Sequence, residues 1–150
     1  MKLKDILTKK GSVVWTVKSS QTIQQALEIL VEKKIGSLVV LDESGRIAGI
    51  ISERDIVRGS YEHPREVSDL LVSKLMTKKV IIGSPEDDTK YIMGIMTQSR
   101  VRHIPVVHEG KLKGLVSIGD VVKSVIDDSN YEIHYLKEYI YGPSQDAEAT

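Results

Sequence analysis

No cysteine occurs among the 150 residues, which removes disulfides, thiolate nucleophiles and every cysteine-based metal site. An excess of charge is equally absent. The 21 basic and 21 acidic residues cancel, so no net field draws the chain to nucleic acid or to an anionic membrane. Apolar runs approaching the roughly 20 residues of a membrane span are missing. Behind Met1-Lys2-Leu3-Lys4-Asp5 there is no signal-peptide core. These absences lead to the expectation of a soluble, cytoplasmic protein that contacts neither nucleic acid nor membrane. A Walker-type glycine loop, a Ser/His/Asp order and clustered metal ligands are also lacking. His63, His108 and His134 stand at unrelated spacings, so the expectation is a chain without metal and without catalysis.

What is there is an internal duplication. Gly45-Arg46-Ile47-Ala48-Gly49-Ile50-Ile51-Ser52-Glu53-Arg54-Asp55-Ile56-Val57 returns as Gly110-Lys111-Leu112-Lys113-Gly114-Leu115-Val116-Ser117-Ile118-Gly119-Asp120-Val121-Val122. The offset is constant: 110−45, 114−49, 117−52 and 120−55 all give 65. Upstream, Ser37–Leu41 matches His103–Val107 after a one-residue gap, and Asp5-Ile6-Leu7-Thr8 echoes Lys74-Leu75-Met76-Thr77. The halves fall at 3–60 and 70–127, joined by a polar connector, 61–69, that holds Pro64.

Each half repeats one plan. Thr22 with Gln25 reads as a capping box, and Ile23, Ala26, Leu27, Leu30 and Val31 form one helical face ending near Gly36. Ser37–Leu41 and Ile47–Ile51 read as strands around an Asp42–Gly45 turn, with a helix from Ser52. Asp88 opens the matching helix of the second half, and a further short strand is expected at Trp15–Val17 or Val80–Ile82. Ser129 and Glu132 suggest another capping box, giving a separate terminal helix over 129–142 that stops at Gly142-Pro143, before a polar tail at 143–150. Tyr135, Tyr139 and Tyr141 on that helix are candidates for a subunit contact, and Trp15 is expected in the core or an interface.

The duplicated element is Gly-x-x-Ser-x-x-Asp, at Gly49/Ser52/Asp55 and Gly114/Ser117/Asp120. A strand glycine permits close approach of a ligand or another backbone. Ser52 and Ser117 stand where helices start, among free N–H groups that attract anions. An aspartate one turn later offers two acceptor oxygens to the two hydroxyls of a ribose. The same pattern is also a self-satisfying helix cap. On the residues alone, cap and nucleotide site both remain open.

The run Arg102-His103-Ile104-Pro105-Val106-Val107 with Gly114–Val121, together with Gly49–Asp55, resembles a pair of CBS domains, the repeats named after cystathionine β-synthase. The resemblance runs from about Leu3 to Ile126 and is closest to small free-standing pairs of bacteria and plant organelles. It implies an α/β (α+β) fold of tandem β-α-β-β-α repeats, packed sheet to sheet about a pseudo-twofold axis that leaves two clefts. Such clefts take AMP, ADP, ATP, NAD or S-adenosylmethionine. By carry-over, Asp55 and Asp120 hold ribose, while Ser52 and Ser117 face phosphate. Arg54, Arg102 and His103 supply positive charge, and Ile35 and Ile104 sandwich the base. The implied function is a non-enzymatic nucleotide sensor that signals to a partner protein and forms a homodimer; the alternative is a dimerisation scaffold with empty clefts. Arg54 is matched by Gly119, and Arg102 and His103 by Gly36 and Ser37, so the two clefts are expected to be unequal.

Overall fold

The computed structural model describes residues 1–141; the side chains of Tyr131, Tyr135, Tyr139 and Tyr141 and all of 142–150 lie outside the described residues. The expected subunit contact of Tyr135, Tyr139 and Tyr141, the Gly142-Pro143 stop and the tail at 143–150 therefore fall outside them too. The element order is α1 (Leu3–Lys10), β1 (Thr16–Lys18), α2 (Ile23–Lys33), β2 (Ser37–Leu41), β3 (Ile47–Ser52), α3 (Glu53–Glu62), α4 (Val72–Leu75), α5 (Thr89–Ser99), β4 (His103–His108), β5 (Lys111–Ser117) and α6 (Ile118–Tyr141). A single 3-10 turn, Val67–Asp69, precedes α4.

Local chemistry sets most boundaries. The Thr22 hydroxyl accepts from the Gln25 N–H at 3.2 Å, and Gln25 returns the bond to the Thr22 N–H at 2.9 Å, so α2 starts on a closed capping box. Its end differs from expectation. Lys34, in the left-handed region at φ 55°, is the cap rather than Gly36, and Arg100 caps α5 in the same conformation.

β1 runs parallel to β2, β2 pairs antiparallel with β3, and β4 with β5 make a separate antiparallel pair. The strand expected at Val80–Ile82 is not formed. Its trace is a single parallel bridge between Gly83 and Val106, because Ser84-Pro85 turns the chain at once and proline has no N–H to extend a ladder.

Two apolar cores lie under the two sheets, and each recruits the opening helix of the other repeat. Leu3, Ile6 and Leu7 of α1 pack with Ile92, Met96, Ile104, Val106, Val116 and Val121 of the second half. Val72 of α4 packs with Val17, Ile23, Leu30, Leu38, Ile51 and Ile56 of the first. The central strands are covered on both faces. Leu38 and Val40 face the helices while Val39 is also fully buried, and Pro105 is buried opposite Ile104 and Val106. Burial on both faces is what sheet-against-sheet packing requires.

Two further expectations are corrected. Ser129 does not cap a separate helix: α6 is continuous over 24 residues, since a helix already nucleated upstream propagates more cheaply than a new one starts. Of the two places expected for Trp15 the core is ruled out, since it is 41 % exposed with the Lys33 ammonium 4.3 Å from its ring centroid; the interface is left open.

Candidate functional site

The first motif sits where β3 becomes α3. The Ser52 hydroxyl accepts from the Asp55 N–H at 3.3 Å, and Asp55 Oδ2 accepts from the Ser52 N–H at 2.9 Å and its hydroxyl at 3.0 Å. The capping box is thus real, and it occupies one carboxylate oxygen. Among the described residues the other, Oδ1, accepts only a long 3.4 Å bond from Thr77 Oγ1. Cap and ligand group are therefore compatible in one residue, because the cap leaves an acceptor turned outward.

Asp55 opens onto a cavity of about 330 Å³. One wall is the start of α3, with Ser52, Arg54 and Arg58; another is Thr77, Lys79, Val80 and Ile81; the third is Arg100, Val101, Arg102 and His103. Arg54 and Arg102, from different halves, line the same space. Five cationic side chains (Arg54, Arg58, Lys79, Arg100 and Arg102) face two carboxylates, Glu53 and Asp55. Among the described residues none of the five is in a salt bridge. Like charges gathered in a cleft without partners create a potential that an anion relieves.

Burial holds the His103 imidazole below its ordinary pKa, and the positive charges of Lys10 and Arg102 act in the same direction against Asp120 and Glu53. Of the two residues expected to sandwich a base, Ile104 is turned away from the cavity. Ile104 is fully buried in the second core, because β-strand alternation puts His103 and Pro105 on one face and Ile104 with Val106 on the other. Ile35, half-buried, packs against the first core next to Gly36, which borders the cavity. The apolar wall is instead Ile50, Val80, Ile81 and Val101.

Thr77, Lys79, Val80, Ile81, Arg58 and Arg100 are not among the site residues expected from the sequence. Arg58 lies one turn beyond Arg54 and was within reach of helical periodicity. The 77–81 segment carried a weaker signal, the Thr77-Lys78-Lys79 copy of Thr8-Lys9-Lys10.

The second motif repeats the cap but not the cleft. Asp120 Oδ2 accepts from the Ser117 N–H at 2.9 Å, and the Ser117 hydroxyl accepts from the Asp120 N–H at 3.2 Å. Here, however, Lys10 Nζ lies 2.7 Å from Asp120 Oδ2 and donates also to the Leu115 carbonyl at 3.0 Å. Burial works to raise the Asp120 carboxyl, but the bonds from Lys10 and Ser117 outweigh it and hold the group below its ordinary 3.8. A carboxylate depressed in the folded state contributes stability above its unfolded value and loses it as pH falls through the folded one. Asp120→Asn is therefore expected to lower stability at neutral pH by up to about 1 kcal/mol, discounted for partial exposure. Urea unfolding should find the gap between parent and variant closing at pH below the folded value. A gap unchanged by acid would refute the ion pair as its source.

Among the described residues no three His, Cys, Asp or Glu side chains come together as a metal cage, and no helix is long and apolar enough to cross a membrane.

The family model for the CBS domain matches residues 3–62 and again 67–127. The mitochondrial CBS domain-containing protein CBSX3 of Arabidopsis thaliana is 36% identical over 136 residues, covering 88% of this chain; the match spans 66% of that relative's length. Among solved structures, the CBS-domain protein ATU1752 of Agrobacterium tumefaciens is 41% identical with a TM-score of 0.78, covering 81% of this chain and 91% of that one. The CBS domain pair of protein MJ0100, solved with 5'-methylthioadenosine and S-adenosyl-L-methionine, is 25% identical with a TM-score of 0.72, over 83% of this chain and 99% of that one. The matched spans, the two sheet-and-helix cores and the doubled Gly-x-x-Ser-x-x-Asp junction agree, and the chain belongs to the CBS-domain family as a pair of CBS domains.

Proposed function

We propose that this chain is a non-enzymatic sensor of adenine nucleotides (AMP, ADP, ATP or NAD) that binds them in the clefts between its halves and presents the bound state to a partner protein. The observation that carries the reading is the convergence of Asp55 and five cations, none in a salt bridge among the described residues, on one cavity of about 330 Å³. That volume falls in the range of small-molecule sites. Asp55 Oδ1 suits ribose hydroxyls, and Ile50, Val80, Ile81 and Val101 supply an apolar surface for the base. Arg54 and Arg102 offer planar donor forks matched to phosphate oxygens. The adenosyl ligands of the MJ0100 pair support the adenosine part of the reading; the basic rim supports phosphate over an uncharged tail. Homodimerisation is supported by the exposed apolar face of α6, where Ile118, Val122, Ile126, Ile133, Leu136 and Ile140 fall on one side of the helix.

Isothermal titration of the whole chain with AMP, ADP, NAD and 5'-methylthioadenosine tests it. Phosphorylated ligands should bind more tightly than methylthioadenosine, and more weakly as salt rises. Asp55→Ala should weaken them at least about tenfold, which is about 1.4 kcal/mol. Arg54→Ala with Arg102→Ala should erase the preference for phosphate while leaving adenosine binding. Failure of every adenine nucleotide to bind, or conversion of the nucleotide on incubation, would overturn the reading.

A further inference from the structure

The two clefts differ because the two opening helices end at different places. Leu3–Lys10 and Val72–Leu75 begin at matching positions (72−3 = 69), and Thr8-Lys9-Lys10 recurs as Thr77-Lys78-Lys79 (79−10 = 69). Yet α4 stops at Leu75, and Thr77 is already extended, bridged to Ile50. The β-branched run Val80-Ile81-Ile82 that follows favours extended chain. By contrast α1 continues another turn, through Thr8, whose hydroxyl donates to the Lys4 carbonyl, to Lys10.

That turn places equivalent lysines in different chemistry. Lys79 lines the first cavity and makes no ion pair among the described residues. Lys10 clamps Asp120 Oδ2 and the Leu115 carbonyl at the second motif. There the ammonium sits on Oδ2, the oxygen that also accepts from the Ser117 N–H, so it neutralises the carboxylate right beside Oδ1, the atom that the first motif leaves for ribose. The space at this end agrees: Asp120 borders a cavity of about 170 Å³ between α1 and α6, about half the volume at Asp55.

Resting on the nucleotide-binding reading above, we infer that Lys10 is a built-in occupant of the second ribose position, so that each chain takes one nucleotide, in the first cleft. The extra turn of α1 is the specificity device, since it converts a duplicated motif into one open and one closed site. Asp120 in this chain is then a partner for Lys10 rather than a ligand group.

Calorimetry with AMP on the full chain should give one site per chain, lost in Asp55→Ala. Lys10→Ala should give two, and Lys10→Arg, which keeps the ion pair, should stay at one. In amide NMR spectra AMP should shift Asp55 but not Asp120 in the parent, and both in Lys10→Ala. That second readout needs only a folded variant, which the spectrum itself reports. Two sites in the parent, or one in Lys10→Ala, would overturn this inference and leave nucleotide binding standing. No AMP binding by the parent or by Lys10→Ala would overturn both.

Discussion

Leu3→Ala should destabilise the protein by about 4 kcal/mol, near the upper end for leucine truncation in a core. Leu3 is 0 % exposed and belongs, with its helix neighbours Ile6 and Leu7, to the core cluster whose other members, Ile92, Met96, Ile104, Val106, Val116 and Val121, lie in the second half. Its backbone is fixed there too, with the Leu3 N–H donating to the Asp87 carbonyl and the Lys4 N–H to the Pro85 carbonyl, both at 3.0 Å. A side chain held on such a frame leaves a cavity that collapses poorly when shortened. For a chain of this size the loss corresponds to a drop of roughly 10 °C in Tm. The location of the damage is as telling as its size. Hydrogen exchange should lose protection in α5, β4 and β5 more than in α2 and β2, although Leu3 is closer in sequence to α2. Val57→Ala, at a position 69 % exposed, should stay within about 0.5 kcal/mol. A loss below about 1 kcal/mol for Leu3→Ala, or damage centred on the first sheet, would contradict the exchange of opening helices between cores.

Such exchange explains why some of the molecule was legible in the sequence and some was not. Helices α2 and α5, the strands of both hairpins and the caps at Ser52, Ser117 and Asp88 depend on residues within one turn or one hairpin, and the local pattern contains them. The doubled Ser-x-x-Asp stood out for the same reason. The cleft walls do not have that property. Thr77–Ile81 reaches Asp55 only because α4 and the segment after it fold onto the first half, and a repeat offset carries no information on which half covers which. Ile104 failed for a different reason. In Ile104-Pro105-Val106-Val107 both faces of the strand are apolar, so alternation could not be read, and only the sheet-on-sheet packing shows which parity faces the helices. The Ser129–Glu132 pattern misled because a capping box has the same residues whether a helix begins there or simply passes through. Nothing in those four residues records that α6 is already running.

Gly49→Ala should be more damaging than Gly114→Ala, although the two glycines are the same position of the duplicated motif. A Cβ on Gly49 would stand 2.6 Å from the Thr77 carbonyl oxygen and 3.0 Å from Met76 Sδ. The backbone atom cannot rotate away, because the Ile50 N–H donates to that carbonyl at 3.0 Å and the Thr77 N–H donates back to the Ile50 carbonyl at 2.8 Å. Making room means pulling the 77–81 segment off β3. The expected cost is about 3 kcal/mol, from overpacking and the loss of this bonded pair. A Cβ on Gly114 would crowd both Cδ atoms and the Cγ of Leu7, but these are side-chain atoms that can shift where a bonded backbone carbonyl cannot, at about 1–2 kcal/mol of overpacking. The functional consequence is equally one-sided. Thr77, Lys79, Val80 and Ile81 form a wall of the first cavity, so Gly49→Ala should weaken AMP at least about tenfold without altering any group that lines it. Gly114→Ala should leave AMP affinity within about twofold, because the second motif is already closed by Lys10. Urea midpoints and AMP titrations on the two variants decide the matter. Equal losses of stability would show that Thr77 yields as readily as Leu7, and equal losses of affinity would show that both clefts bind.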